Sequence, residues 1–248
     1  MLTLHDPNKT VSEIVRADYR TADVFKKHGI NYCCGGKLPL AEACAAKKID
    51  VANLQEELTL ATKTIHLPNS LQFDRWKVDF LIEYIINVHH EYLKLSVPVL
   101  NGTLLSFVDG HLKQYPELRE MQEVFKELVQ LIQRNNQHEE ETIFPYIKLI
   151  ANAYHRKESY GSLFVKTLRK PLTNLETENN KMSNLLGQLR AVTHNYTFPE
   201  NACTNHRVVF CKLREFDNDL VQHKHLENTI LFQKAKELEK ELLKMEQT

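Results

Sequence analysis

A chain of 248 residues, 42% hydrophobic and 26% charged, has room for one large domain or for a medium and a small one. Its 32 basic and 32 acidic residues cancel, so it lacks the electrostatic signature of a nucleic-acid or anionic-membrane partner. Seven Gly and eight Pro favour helices over tight turns, and five cysteines, an odd number with Cys33 and Cys34 adjacent, argue against a secreted disulfide framework.

The segment Met1 to Lys9 is polar and lacks the basic start and apolar run of a signal peptide, and no stretch approaches the ~20 apolar residues that span a bilayer. The expected compartment is the cytoplasm. Residues 10–61 read as short helices. Thr10 or Ser12 caps the first, which runs through Ile14 and Val15, with Ser12 giving no full capping box. Thr21 caps a second, whose apolar face is Val24 and Phe25 and which ends at Gly29. The run Asn31-Tyr32-Cys33-Cys34-Gly35-Gly36 reads as a turn, since paired glycines interrupt helix. Pro39 opens a third helix through Ala46, and a fourth spans about Val51 to Leu60. A linker is expected at 62–72, where Pro68, Asn69 and Ser70 cluster, so the division is 1–61 for an N-terminal domain and 73–248 for a bundle.

Four long helical patterns follow. The first starts near Phe73 and passes Leu95, with a kink or break at Pro98 and Gly102 close behind; the others span about Pro116 to Tyr154, Leu168 to Thr193, and Thr204 to Leu243. In the second, Leu118, Met121, Phe125, Leu128, Ile132, Asn135, Glu139, Thr142 and Tyr146 recur at steps of three and four, on one face. That face is apolar until Asn135 and Glu139. The fourth repeats the design with Val209, Leu213, Phe216, Leu220, His223, Glu227 and Ile230. The third reads Leu168, Leu172, Leu175, Asn179, Met182, Leu186, Leu189, and the first places His89 and His90 among Ile85, Ile86 and Leu93.

Each helix thus turns one or two polar groups inward. A buried carboxylate without a partner costs several kcal/mol or takes up a proton. A metal ion joining inward carboxylates and imidazoles accounts for the pattern, and facing helices of a bundle are a usual place for one. A hydrogen-bonded polar core is the competing reading. His138, Glu140, Glu141 and His225 lie beside the stripes and read as solvated. Lys26, Lys27, His28 and Lys37 lie near Cys33 and Cys34 in sequence, and positive neighbours favour a thiolate. Cys44, Cys203 and Cys211 read as packing residues.

These motifs resemble the repair-of-iron-centres family of the ScdA/YtfE type. Asn31-Tyr32-Cys33-Cys34-Gly35-Gly36-Lys37 is similar to its cysteine module, apart from Asn31 where Asp is usual. Glu139-Glu140-Glu141-Thr142-Ile143-Phe144-Pro145, His223-Lys224-His225-Leu226-Glu227-Asn228 and Leu175-Glu176-Thr177-Glu178-Asn179 resemble its bundle motifs, and His111 ahead of Pro116-Glu117-Leu118 fits a further one. The resemblance implies an all-α fold, with a small N-terminal domain and a hemerythrin-like four-helix bundle. It implies a non-haem di-iron centre and a part in restoring iron–sulfur clusters damaged by nitric oxide or oxidants. Carried over by position, His90, Glu139, His223 and Glu227 are metal ligands, and Cys33 and Cys34 act in redox chemistry or iron transfer. Asn135 and Asn179 stand where the resemblance implies histidines, so the expectation is a single iron or a weakened pair. Neutral amide oxygen is a weaker iron ligand than imidazole. The implied partners are damaged iron–sulfur proteins and, in a homodimer, a second copy of the chain. The alternative is a metal-poor binding or regulatory relative, in which Asn135 and Asn179 hydrogen-bond the carboxylates.

Overall fold

The computed structural model describes residues 5–33, 36–64, 71–158, 160–168 and 175–245. Cys34, Gly35, Pro68, Asn69, Ser70 and Leu172 lie outside them. The described residues are all-helical, apart from an isolated bridge between Thr10 and Pro39. They form two compact units: Met1–Asn69 with Val99–Pro116 and Thr193–Glu215, and Ser70–Pro98 with Glu117–Val192 and Phe216–Thr248.

The first unit contains α1 (Val11–Ala17), α2 (Thr21–Lys27), α3 (Leu40–Lys47) and α4 (Val51–Thr62). Thr10 is the N-cap of α1, and its side chain and that of Glu13 satisfy each other's backbone N–H groups in a complete capping box. Ser12 therefore lies inside the helix, and its hydroxyl meets Thr204 Oγ1 at 2.8 Å. Thr21 is the first helical residue of α2 rather than its cap, and its hydroxyl donates to the Asp18 carbonyl at 2.7 Å. Ile14, Val15, Phe25, Leu40, Leu54 and Leu58 form a core with Val208, and burial of each large side chain stabilises by about 1.5–3 kcal/mol. Tyr19 also reaches Glu215, and Lys212 reaches Asp23.

The second unit holds the elements that follow, except that residues 99–111 and 204–215 belong to the first. A 3-10 turn at Phe73–Arg75 precedes α5 (Val78–Tyr84), a π-helical turn (Ile85–His90) and α6 (Glu91–His111). Next come α7 (Leu118–His138), a π turn (Glu139–Ile143) and α8 (Phe144–His155). α9 (Gly161–Leu168) and α10 (Leu175–Val192) follow, then α11 (Thr204–His225), a π turn (Leu226–Leu231) and α12 (Phe232–Met245). Within this unit α7 packs on α10, α12 on α8 and α9, and α5 on α8.

The helix of α6 runs through Pro98 without ending. Pro98 removes one backbone donor, but Pro98 and Lys94, whose carbonyl loses its partner, both lie on the exposed side, where water can take the bond. Of the expected third helix, α10 covers Leu175–Val192, Leu168 is the last residue of α9 and is exposed, and residues 169–174 lie outside the described ones.

Candidate metal centre

The three π turns carry the site. Each holds one more residue per turn than an α-helix, so the phase of the inward face advances by one position. In the second long helix the buried residues run Asn135, Glu139, Ile143, Phe144, Tyr146 and Ile147, and Thr142 is exposed. In the fourth they run His223, Leu226, Glu227, Leu231, Phe232 and Ala235, and Ile230 is only half-buried. The regular steps of three and four put Thr142 and Ile230 on the inward face; the widened turns move that role to Ile143 and Leu231. The turn Ile85–His90 leaves both of its histidines buried.

His90, Glu139, His223 and Glu227 converge, each buried, and each offers a ligand atom within 4.8 Å of those of the other three. Nε2 of His90 lies 3.0 Å from Nε2 of His223, and Glu227 Oε1 lies 2.7 Å from His223 Nε2 and 3.5 Å from His90 Nε2. Glu140 Oε1 stands 2.7 Å from Nδ1 of His90, so a neutral His90 gives its proton to that bond and aims the Nε2 lone pair into the pocket. Glu140 is thus exposed yet orients a candidate ligand, a role its off-stripe position hid. His138 and His225 are exposed. His89 is buried too, but its Nδ1 faces Asp219 Oδ1 at 2.8 Å and its ring stacks on His223 at 5.5 Å between centroids.

Lys224 was not singled out from the sequence. Its Nζ donates to Glu139 Oε1 at 3.1 Å and to Glu227 Oε2 at 2.6 Å, and so holds the two carboxylates together. Its position next to His223 puts it about 100° off the stripe, but a four-carbon stem spans that angle. Asn179 donates to Asn228 Oδ1 at 2.6 Å rather than to either carboxylate, and Asn135 is buried.

Two buried atoms of the cluster, Glu139 Oε2 and His223 Nδ1, have no hydrogen-bond partner among the described residues. The carboxylate oxygen is costly in that state and is a free ligand atom. Burial, then the charge of Glu227, pushes the Glu139 carboxyl up to about 8. Burial pushes His223 down to about 4, against the pull of Glu227. For His90 and Lys224, burial opposes the charged form, but the carboxylates outweigh it and raise both. Glu227 is held low, because His223 and Lys224 overcome the effect of burial. The donor set, two imidazoles and two carboxylates with one oxygen unpartnered, fits one divalent transition metal. Two of the six implied ligand positions are amides, and Lys224 bonds both carboxylates.

Cys33 lies in the first unit, its backbone N–H bonded to Asn31 Oδ1 at 2.9 Å, and Cys34 lies outside the described residues. Lys27 and His28 both contact Glu57. Cys44 is buried and Cys211 half-buried, and burial pushes both thiols up, as for packing residues. Cys203 departs from that reading. Its Sγ lies 3.3 Å from Nε2 of His111.

Two family models match the chain in succession. Residues 7–62 match the model of the N-terminal ScdA domain, described as a domain of unknown function, and residues 81–235 match the hemerythrin HHE cation-binding domain. The chain is 30% identical over 241 residues to the iron-sulfur cluster repair protein ScdA of Staphylococcus epidermidis, covering 95% of this chain and all of the relative. It is 27% identical over 228 residues to ScdA of Staphylococcus haemolyticus, covering 90% and 96%. It is 27% identical over 232 residues to the iron-sulfur cluster repair protein YtfE of Yersinia pestis, covering 92% and 96%.

Proposed function

We propose, since the chain belongs to the ScdA and YtfE family of iron-sulfur cluster repair proteins, that it holds one iron ion in its hemerythrin-like bundle and helps restore clusters damaged by nitric oxide or oxidants. The observation that carries this reading is the convergence of four buried donors on one point, with a carboxylate oxygen left unpartnered. His90, Glu139, His223 and Glu227 would hold the ion. Iron there would supply open coordination positions for small diatomic ligands and an ion that can be passed to a depleted cluster. Glu140 fixes the ring of His90. Lys224 supplies a second positive charge to the carboxylates without a second metal. Ile143, Phe144 and Leu226 are fully buried and form part of the apolar core of this unit. The clients would be iron–sulfur proteins, with Cys33 and Cys34 receiving or delivering iron.

A second reading rests on Lys224. Because its ammonium already bonds both carboxylates, a metal-free relative acting as a regulatory module is physically coherent. Metal content after anaerobic loading with ferrous iron separates the two. One iron per chain is expected, and the triple variant Asn135→His, Asn179→His, Lys224→Met should take two. Less than a tenth of an equivalent of iron in the unaltered protein sinks the iron reading and leaves the second one. Two equivalents in the unaltered protein would show that Lys224 does not take the place of an ion.

A further inference from the structure

Cys203 directly precedes α11, at the position that caps the helix. Its carbonyl accepts the Arg207 N–H at 3.2 Å and its Sγ accepts the His206 N–H at 3.4 Å, so the thiol fills the place usually taken by Ser, Thr or Asp. A helix N-terminus favours negative charge, here a thiolate. His111 closes α6, and its Nδ1 faces the Phe107 carbonyl at 2.9 Å. A carbonyl can only accept, so Nδ1 carries the proton and Nε2 turns its lone pair to Cys203 Sγ at 3.3 Å. Cys33 completes the group, with a side-chain hydrogen bond to Cys203. Cys33 and His111 line a cavity of about 550 Å3 together with Lys26, Tyr32, Thr103 and Asn205. All these residues lie in the first unit.

We propose that Cys203 and His111 form a nucleophilic thiolate–imidazolium pair, and that hydrogen peroxide oxidises the half-buried Cys203 to a disulfide with Cys33. The Cys203 sulfur attacks one oxygen of the peroxide; an S–O bond forms and the O–O bond breaks. The leaving hydroxide takes the proton held at Nε2 of His111 and departs as water. The Cys33 sulfur then attacks the Cys203 sulfenic acid, an S–S bond forms, and the S–O bond breaks with release of a second water that carries the Cys33 proton. Two thiols lose two electrons and one hydroperoxide gains them. The chemistry agrees with the environment of Cys203, whose thiol is held down to about 5, chiefly by the hydrogen bond from Cys33, with His206 and His111 adding, against burial. It uses no bundle metal and is independent of the iron reading.

The test uses the full-length, reduced protein stripped of metal. One equivalent of hydrogen peroxide at about pH 6, then alkylation and peptide mapping, should give a Cys33–Cys203 disulfide as the main product. Iodoacetamide at the same pH should label Cys203 at least about tenfold faster than Cys44 or Cys211, as its larger thiolate fraction requires. His111→Gln should slow both reactions, and Cys33→Ser should leave a dimedone-trappable sulfenic acid on Cys203. A disulfide between Cys33 and Cys34, a scatter over all cysteines, or labelling of Cys203 no faster than Cys44 would overturn the proposal. The labelling result needs no variant, so misfolding of a mutant cannot protect the idea.

Discussion

Glu139 is the residue whose charge state the metal would change most. With no ion bound, its carboxyl is raised to about 8 by burial and by Glu227, whereas an unfolded glutamate titrates near 4.3, about the model-peptide value. The sign follows from linkage. Between those limits the folded state holds a proton that the unfolded chain has released. The contribution of Glu139 is therefore complete below the unfolded value and is lost as pH rises through about 8. Metal-stripped protein should lose melting temperature, relative to Glu139→Gln, from about pH 5 to about pH 8.5, at roughly 2–4 °C for each kcal/mol. Metal-loaded protein should show the reverse trend, since the ligand carboxylate must be deprotonated to bind. Thermal scans of both proteins, with and without ferrous iron, check this, and metal-free protein that gains melting temperature relative to Glu139→Gln as pH rises would contradict it. The four candidate ligands were legible because polar residues interrupt apolar stripes. Lys224 was not, because a residue one step off the stripe counts as solvated until its stem is seen folding back. Cys203 was hidden differently: nothing in local spacing links it to Cys33, 170 positions earlier, or to His111.

At the scale of the element, the long helices and most of their inward faces could be read from a period of three and four residues. What the period could not carry is the π turn, because it assumes a constant twist and each widened turn resets the count by one. Thr142 and Ile230 were placed inward for that reason, and Ile143 and Leu231 take their places. The π turns also make a prediction. Candidate ligands His90, Glu139 and Glu227 all lie inside them, so the extra residue sets both ligand direction and the phase of the helix beyond. Deleting the exposed Thr142 removes that residue from Glu139–Ile143 and should relax the turn to α. The core of α8 must then rotate about 100° against Glu139, or Glu139 must leave the pocket. Iron affinity should fall more than about tenfold, a cost of about 1.4 kcal/mol or more, while far-ultraviolet circular dichroism stays within about a tenth of the parent. Unchanged affinity would show that the π turn is incidental to the site.

At the scale of the whole molecule, the sequence expectation sets a module at 1–61, a linker at 62–72 and a bundle at 73–248. Compactness groups Val99–Pro116 and Thr193–Glu215 with the N-terminal helices. The physical content of that grouping is specific. Val208 is 1% exposed within the same apolar cluster as Phe25 and Leu54, Ser12 meets Thr204, and Tyr19 meets Glu215. None of the described helices is long and apolar enough to cross a membrane. A chain beginning at residue 62 would present Val208 to water and leave Thr204 and Glu215 without these partners. Uncovering one such side chain costs about 1.5–3 kcal/mol, and the lost hydrogen bonds about 1 kcal/mol each. The truncated chain should therefore melt several degrees lower, and protease cleavage within 193–215 should become faster than in the full protein. If it kept the parent melting temperature and cleavage pattern, the N-terminal helices would fold as an independent domain, and the division at 62–72 would describe stability as well as sequence.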